Sequence, residues 1–318
     1  MIVKIISALL VQYLVTAVLS GILFPERAYA QERNLAREAI EGAVYIYAPF
    51  TSPCAPVEDP IAPRKALRPL GSGFIVVLNH EREAASIGRM QAYQFLITAH
   101  HVIDSLESII LRMNRPDKPE FVCFDVRLIA EGKNKNVFTG SRTEVDLVAI
   151  RLPDLPDTAP AIFDFSMILD EDLMKKERIS EGTDIFTFGY LFGYPGKKQN
   201  FPVVRFGKVA KLSNEAWYHS DSPRNMDEQA YLVELQSEPG LSGAPVILQS
   251  PQLRLDKDGT FHYQHVKPYV IGVLKGGLRS WLGGDKGIAA IEPSYNLRDL
   301  LKKVAEQLAA GSPAESQR

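Results

Sequence analysis

Pro239-Gly240-Leu241-Ser242-Gly243-Ala244-Pro245-Val246 sets one serine between two glycines, directly ahead of the apolar run Ala244 to Leu248. The glycines let the backbone turn tightly and aim N–H groups at one point, and the run that follows reads as a buried strand. Such a turn forms an oxyanion hole, in which the amides of Gly240 and Ser242 converge on the oxygen that becomes negative when Ser242 attacks a carbonyl. Two further segments give that reading weight. Ile97-Thr98-Ala99-His100-His101-Val102-Ile103 is a strand end that delivers histidine, and Glu144-Val145-Asp146-Leu147-Val148-Ala149-Ile150 places an acid at the mouth of a buried strand. A serine hydroxyl is a poor nucleophile at neutral pH, so an imidazole must take its proton and a carboxylate must orient that imidazole.

Outward from these segments the chain reads mostly as strands. Ala43 to Tyr47, Gly73 to Leu78, Tyr93 to Ile97, Ser108 to Arg112, Phe121 to Leu128 and Leu147 to Ile150 are short β-branched or aromatic runs separated by polar or Pro/Gly turns. A Pro- and Asp-rich stretch from Pro153 to Pro160 opens a connector with a helical piece around Met167 to Lys176. A second series follows at Asp184 to Phe188, Val203 to Leu212, Tyr231 to Leu235, Ala244 to Leu248, Tyr269 to Leu274 and Gly287 to Ile291. Leu297, Leu300, Leu301, Val304 and Leu308 then recur at helical spacing within Tyr295 to Leu308. Two sets of strands without interleaved helices predict an all-β fold of two six-stranded antiparallel Greek-key barrels with a C-terminal helix. The divisions expected are an N-terminal barrel at 42–152, a connector at 153–180, a C-terminal barrel at 181–294, a helix at 295–309 and a tail at 310–318.

Taken together, the segments resemble the chymotrypsin-like (trypsin-superfamily) serine proteases, especially bacterial exported ones of the Htr type. That family runs His, Asp, Ser along two barrels, and this chain runs His101, Asp146, Ser242. Gly71-Ser72-Gly73-Phe74-Ile75-Val76, Gly182 to Tyr190, Gly193-Tyr194-Pro195-Gly196 and Gly287 to Ser294 add to the likeness, which covers about Gly42 to Leu308. Of the doubled histidines, aligning Thr98-Ala99 with the family's Thr-Ala pair assigns the base to His101 and a structural role to His100. The resemblance implies a cofactor-free serine endopeptidase acting on polypeptides through an acyl-enzyme, with Gly240 and Ser242 as the oxyanion hole. It implies a primary pocket with Gln236, six residues before the serine, at its base and with Lys275 and Gly276 in its wall. A neutral Gln236 disfavours a demand for Arg or Lys, because no buried carboxylate awaits the cation.

The departures from the family also carry meaning. Ala244 replaces a glycine, and Leu241 stands where digestive enzymes carry an aspartate that pairs with a newly freed N-terminus. With no Ile-Val-Gly-Gly activation site, the Gly240-Leu241 turn must be fixed by packing or move between two states; Gly240 is free to flip its peptide, so the expectation is weak basal activity that rises with bound substrate. A peptide-binding PDZ module is not expected after the last helix. The rival reading is a catalytically silent protease fold serving as a binding or scaffold module. An α/β-hydrolase esterase fails on the order of the three residues and on Ala244.

Composition bounds the rest. The chain has 318 residues, 46% of them hydrophobic and 23% charged, which rules out disorder and coiled coil and leaves one large domain or two modest ones. Lys plus Arg is 36 against 38 Asp plus Glu, and without a dense basic run no nucleic-acid partner is implied. Lys4, the apolar stretch Ile5 to Phe24, Pro25 and Ala28-Tyr29-Ala30 read as a signal peptide over residues 1–30, cleaved before Gln31, or as a retained anchor, the one route to a membrane. Either predicts export to the periplasm or beyond. Cys54 and Cys123 leave room for one bridge, with a buried Cys123 thiol as the alternative. No metal is implied: His262 and His265 fall on opposite faces of a strand, and Asp256-Lys257-Asp258-Gly259 reads as a hairpin turn.

Overall fold

The computed structural model describes residues 39–49, 69–80, 91–115, 117–132, 135–140, 145–153, 163–212, 217–218, 227–228, 230–249, 253–255, 261–263, 268–279 and 285–311. All belong to one unit that begins at Ala39. The predicted signal segment, Cys54, Asp256 to Gly259, His265 and the tail at 312–318 lie outside the described residues.

The first half folds as β1 (Val44–Tyr47), β2 (Pro69–His80), β3 (Gln91–Thr98), the single turn α1 (His100–Ile103), β4 (Ser108–Asn114), β5 (Phe121–Arg127), β6 (Val137–Thr139), β7 (Val148–Arg151) and β8 (Phe163–Asp164). These strands make one curled sheet in the order β5-β4-β1-β2-β3-β7-β6, antiparallel throughout, with β8 parallel to β2. Its concave face buries Val44, Ile46, Ile75, Leu96, Ile109, Leu111, Met113, Val148 and Ile150. The sheet curls into the half-barrel of a trypsin-like fold, and among the described residues no ladder joins β5 to β6. The chain after β5 is still tied to the start of β6: the Asn136 and Val137 amides donate to the Ile129 carbonyl at 2.9 and 3.1 Å, and the Asn136 side chain accepts from the Ile129 amide and donates to the Arg127 carbonyl, each at 2.6 Å.

The second half begins with a 3-10 turn at Phe165–Met167 and α2 (Glu171–Lys176), capped by Asp170, whose carboxylate accepts from the Leu173 amide at 2.8 Å. Next come β9 (Asp184–Gly189), β10 (Val203–Lys211), β11 (Trp217–Tyr218), β12 (Asp227–Glu228), β13 (Tyr231–Glu234), β14 (Pro245–Leu248), β15 (Leu253–Leu255), β16 (Phe261–Tyr263), β17 (Val270–Arg279), β18 (Asp285–Pro293) and α3 (Ser294–Gly311). Six of these close a barrel, β10-β13-β18-β17-β14-β9, around Ile185, Val209, Val233, Val246, Ile271, Leu274 and Ile291. The pairs β11/β12 and β15/β16 stand outside it as small hairpins, the latter setting His262 opposite Arg254. Helix α3 buries Leu297, Leu300, Leu301 and Val304, the stripe its periodicity predicts. Cys123, in β5, is disulfide-bonded.

The two halves are joined by buried polar and aromatic contacts. Arg112, 3% exposed in β4, donates to the Pro195 and Gly196 carbonyls at 3.0 and 2.8 Å, and Phe121 lies 3.8 Å beneath its guanidinium. Asn114 and Asn200 exchange hydrogen bonds, Asn114 Nδ2 to the Asn200 carbonyl at 3.0 Å and the Asn200 amide to Asn114 Oδ1 at 2.6 Å. Tyr190 packs on Tyr45 at 4.4 Å and on Tyr47 at 5.9 Å. Gly193 and Gly196, at φ of 91° and 73°, let the loop after β9 fold back onto β4. Arg112→Met keeps the aliphatic bulk but leaves two carbonyls without their charged donor, so urea denaturation should show a loss of about 2 to 3 kcal/mol. Arg115→Met, which breaks only the exposed pair with Asp117, should leave the midpoint unchanged.

Candidate active site

Three elements bring the candidate residues together. Strand β3 ends at Thr98, whose hydroxyl donates to the Ser72 carbonyl at 2.7 Å, and the chain then turns once through α1 to present His101. The segment entering β7 carries Asp146. Its Oδ1 accepts the backbone N–H of His101 at 2.9 Å and its Oδ2 lies 2.6 Å from His101 Nδ1. Burial alone pushes the Asp146 carboxyl up. The hydrogen bond and charge of His101, its amide, and the Lys275 ammonium together outweigh burial and hold it below the usual carboxylate range. An ionised carboxylate only accepts, so in the neutral ring Nδ1 carries the proton and Nε2 keeps its lone pair. His100 makes none of these contacts among the described residues.

The serine turn is fixed from both halves of the fold. The Leu241 amide donates to the Glu238 carbonyl at 3.1 Å and Gly240 has φ of 105°, so residues 238–241 form a type II turn with proline and glycine at the positions that turn demands. The Pro239 carbonyl accepts from the Phe192 amide at 3.2 Å; the N–H of the same peptide, that of Gly240, therefore points the opposite way. Ser72 ties the turn to β2. Its amide donates to the Ser242 carbonyl at 2.8 Å, and its hydroxyl donates to the Gly240 carbonyl and accepts from the Tyr190 amide, both at 2.7 Å. Leu241 is fully buried in the core of the closed barrel. Among the described residues neither the Gly240 nor the Ser242 amide donates to a backbone acceptor, whereas the Gly243 and Ala244 amides donate to Leu274 and Leu241. The Ser242 hydroxyl donates to the Lys275 carbonyl at 3.0 Å.

Sequence reasoning missed the charges beneath the pair. Glu292, 1% exposed in its side chain, accepts the Asp146 amide at 3.1 Å, lies 3.6 Å from Lys275 Nζ and accepts Asn296 Nδ2 at 2.6 Å. Burial raises its carboxyl, although Lys275, Asn296 and the Asp146 amide pull the other way. An acid within the apolar run Ile288-Ala289-Ala290-Ile291-Glu292 was the available signal.

The residues assigned to a substrate pocket are spread out. Lys275 borders Ser242 through its carbonyl, while its ammonium turns to Glu292. Gly276, next on β17, faces open space where a Cβ would stand. The Gln236 side chain donates to Glu238 at 3.0 Å, and Gln236 lines an open cavity of about 490 Å³ with Phe206, Leu235 and Gly287, to which His101, Asp146 and Ser242 do not contribute. Among the described residues no cluster of three or more His, Cys, Asp and Glu is placed to hold a metal.

Residues 71–253 match the trypsin-like peptidase domain family. No curated protein matches the sequence. Among solved structures, the chain is similar in fold to the HtrA-type protease AlgW with decapeptide, at 18% identity over 86% of this chain and 67% of that one, with a TM-score of 0.47. It is similar as well to the MamO protease domain from Magnetospirillum magneticum in its apo form, at 12% identity over 83% of this chain and 98% of that one, with a TM-score of 0.49.

A carboxyl held low in the folded state contributes stability above its unfolded value and loses it as pH falls through its folded value. Asp146→Asn should therefore be less stable than the parent at neutral pH. Urea denaturation between about pH 7 and pH 3 should show the gap closing with acidity. A gap that is constant with pH would mean that the Asp146 charge adds nothing.

Proposed function

Because the chain belongs to the trypsin-like peptidase domain family, we propose that it is an exported serine endopeptidase. The observation that carries this reading is the hydrogen-bonded His101–Asp146 pair beside a type II turn that leaves the Gly240 and Ser242 amides without a backbone acceptor among the described residues. Ser242 Oγ attacks the peptide carbonyl carbon as His101 Nε2 removes the hydroxyl proton, and Asp146 offsets the charge of the imidazolium. The Gly240 and Ser242 amides hold the oxyanion. Collapse of the tetrahedral species breaks the C–N bond, the imidazolium returns the proton to the departing amine, and an ester on Ser242 remains. Water then repeats the sequence, releasing the acid and restoring Ser242. No cofactor enters these steps. Gln236 and Gly276 are proposed as parts of the surface that receives the side chain before the scissile bond, with the backbone of Lys275 as the strand beside it. Export rests on the small-residue site Ala28-Tyr29-Ala30 after an apolar stretch. Among the described residues no helix is long and apolar enough to cross a membrane.

A second reading has one observation in its favour. The Ser242 hydroxyl is bonded to the Lys275 carbonyl and not to His101, as in a site at rest or in a silent scaffold. Labelling with a fluorophosphonate separates the two. An enzyme labels at Ser242, and Ser242→Ala and His101→Ala each cost about 10³-fold or more in peptidase rate, with the double variant little worse. His100→Ala should keep the rate. Gly240→Ala brings a Cβ within 2.6 Å of the Tyr190 carbonyl at a positive φ and should cost about 10²-fold or more through the oxyanion turn. A folded protein that never labels would establish the scaffold.

A further inference from the structure

Peptide hydrolysis by serine, imidazole and carboxylate does not call for a second pair of buried charges, yet this fold keeps one directly behind Asp146. Lys275 and Glu292 come from neighbouring strands, β17 and β18, and their charged ends are 3.6 Å apart with only 11% and 1% of the side chains exposed. A buried ion pair of this kind is a weak source of stability, since desolvation offsets most of the attraction and well-packed apolar residues serve as well. Its hydrogen bonds are not generic either: one Glu292 oxygen receives the backbone N–H of Asp146 and the other receives Asn296 Nδ2 from α3.

We propose that Lys275 and Glu292 are positioning residues for the His101–Asp146 pair: Glu292 fixes the Asp146 main chain, and Lys275 cancels the Glu292 charge so that the imidazole meets the charge of Asp146 alone. The proposal rests on the peptidase reading for its purpose but not for its test. Among the described residues, the titratable, charged and polar groups packed around Asp146 are His101 from α1, Lys275 from β17, Glu292 from β18 and the neutral Asn296 from α3. Glu292 and Asp146 repel one another, and each is favoured in its charged form by Lys275. Removing the Glu292 charge takes one negative charge from the neighbourhood of Lys275 and Asp146 and disfavours a protonated imidazole at His101. Removing both charges restores the balance. A role confined to holding the strands together predicts no such reversal.

The experiment follows the His101 imidazole by NMR through a pH titration of the full chain, with its signals assigned by their loss in His101→Ala. Glu292→Gln keeps an oxygen for the Asp146 amide while removing the charge, and should lower the His101 midpoint by about 0.5 to 1 pH unit. Adding Lys275→Met should bring the midpoint back to within about 0.2 unit of the parent. Asn296→Ala, at a partly exposed position, weakens the Glu292 charge from its other oxygen and should move the midpoint the same way by less, which keeps the test open if Glu292→Gln does not fold. Midpoints that stay put in Glu292→Gln and Asn296→Ala overturn the proposal, as does a double variant that stays with Glu292→Gln. The midpoint is read without turnover, so the two readings fail separately. Shifts in a protein that fluorophosphonate does not label support the coupling and remove the peptidase, while normal labelling with unmoved midpoints removes the coupling alone.

Discussion

One hydroxyl, that of Ser72, decides where the two halves of the fold meet. It is fully buried in β2 and spans the gap to the serine turn, donating to Gly240 and accepting from Tyr190, while the amide of the same residue holds the Ser242 carbonyl. Its own carbonyl is held in turn by Thr98, three residues before His101. The strand that ends at the histidine and the turn that carries the serine are thus referenced to a single residue, and every partner in the chain of bonds except the half-buried Ser242 is buried. In such a setting an unmade bond costs more than a made bond gains, so the geometry tolerates little slack. The close approach also explains Gly243 at φ of 86°: a Cβ there would overlap the Thr98 hydroxyl and the Ser72 carbonyl.

Much of this was legible in the sequence because it depends on local chemistry. Gly71-Ser72-Gly73, Thr98-Ala99-His100-His101 and Pro239 to Val246 each announce a turn or a strand end through residue types that few other backbones need. Periodicity placed the apolar strands and the stripe of α3. It could not find β6, whose two apolar residues are too few to show a period, nor extend β17 past Leu274, where Lys275 falls in a register shift and Gly276 and Gly277 pair with Ala290 and Ala289 without an apolar signal. The link from β5 to β6 was hidden for a similar reason: that the Asn136 side chain takes the Ile129 amide is a polar contact that a hydrophobic pattern does not record.

Long-range charge was the least legible. Lys275 and Glu292 lie seventeen positions apart along the chain, and nothing between them marks them as partners. They become so because β17 and β18 pair with register shifts between Leu274 and Gly276, and because α3 then brings Asn296 against the same carboxylate. A β-strand alternates its side chains between two faces, so an irregularity in pairing changes which residues share a face. The family resemblance implied a pocket wall at Lys275; in the fold its carbonyl meets the Ser242 hydroxyl while its ammonium lies among the carboxylates.

The oxyanion turn shows how the same end is reached by different physics. The sequence left two routes open for a turn without a terminal ammonium to pair with: packing, or movement between two states. Leu241 supplies packing, since its side chain is fully buried against the barrel core and leaves no charge to be compensated. Apolar burial is non-directional, however, and cannot by itself choose which way the preceding peptide faces. That choice falls to directional groups: Pro239 fixes one φ, Gly240 permits the positive φ that a type II turn requires, and the Phe192 amide and Ser72 hydroxyl take the two carbonyls that point away from the site. Depth comes from the leucine and orientation from the hydrogen bonds, and an amide aimed at a substrate oxygen requires both.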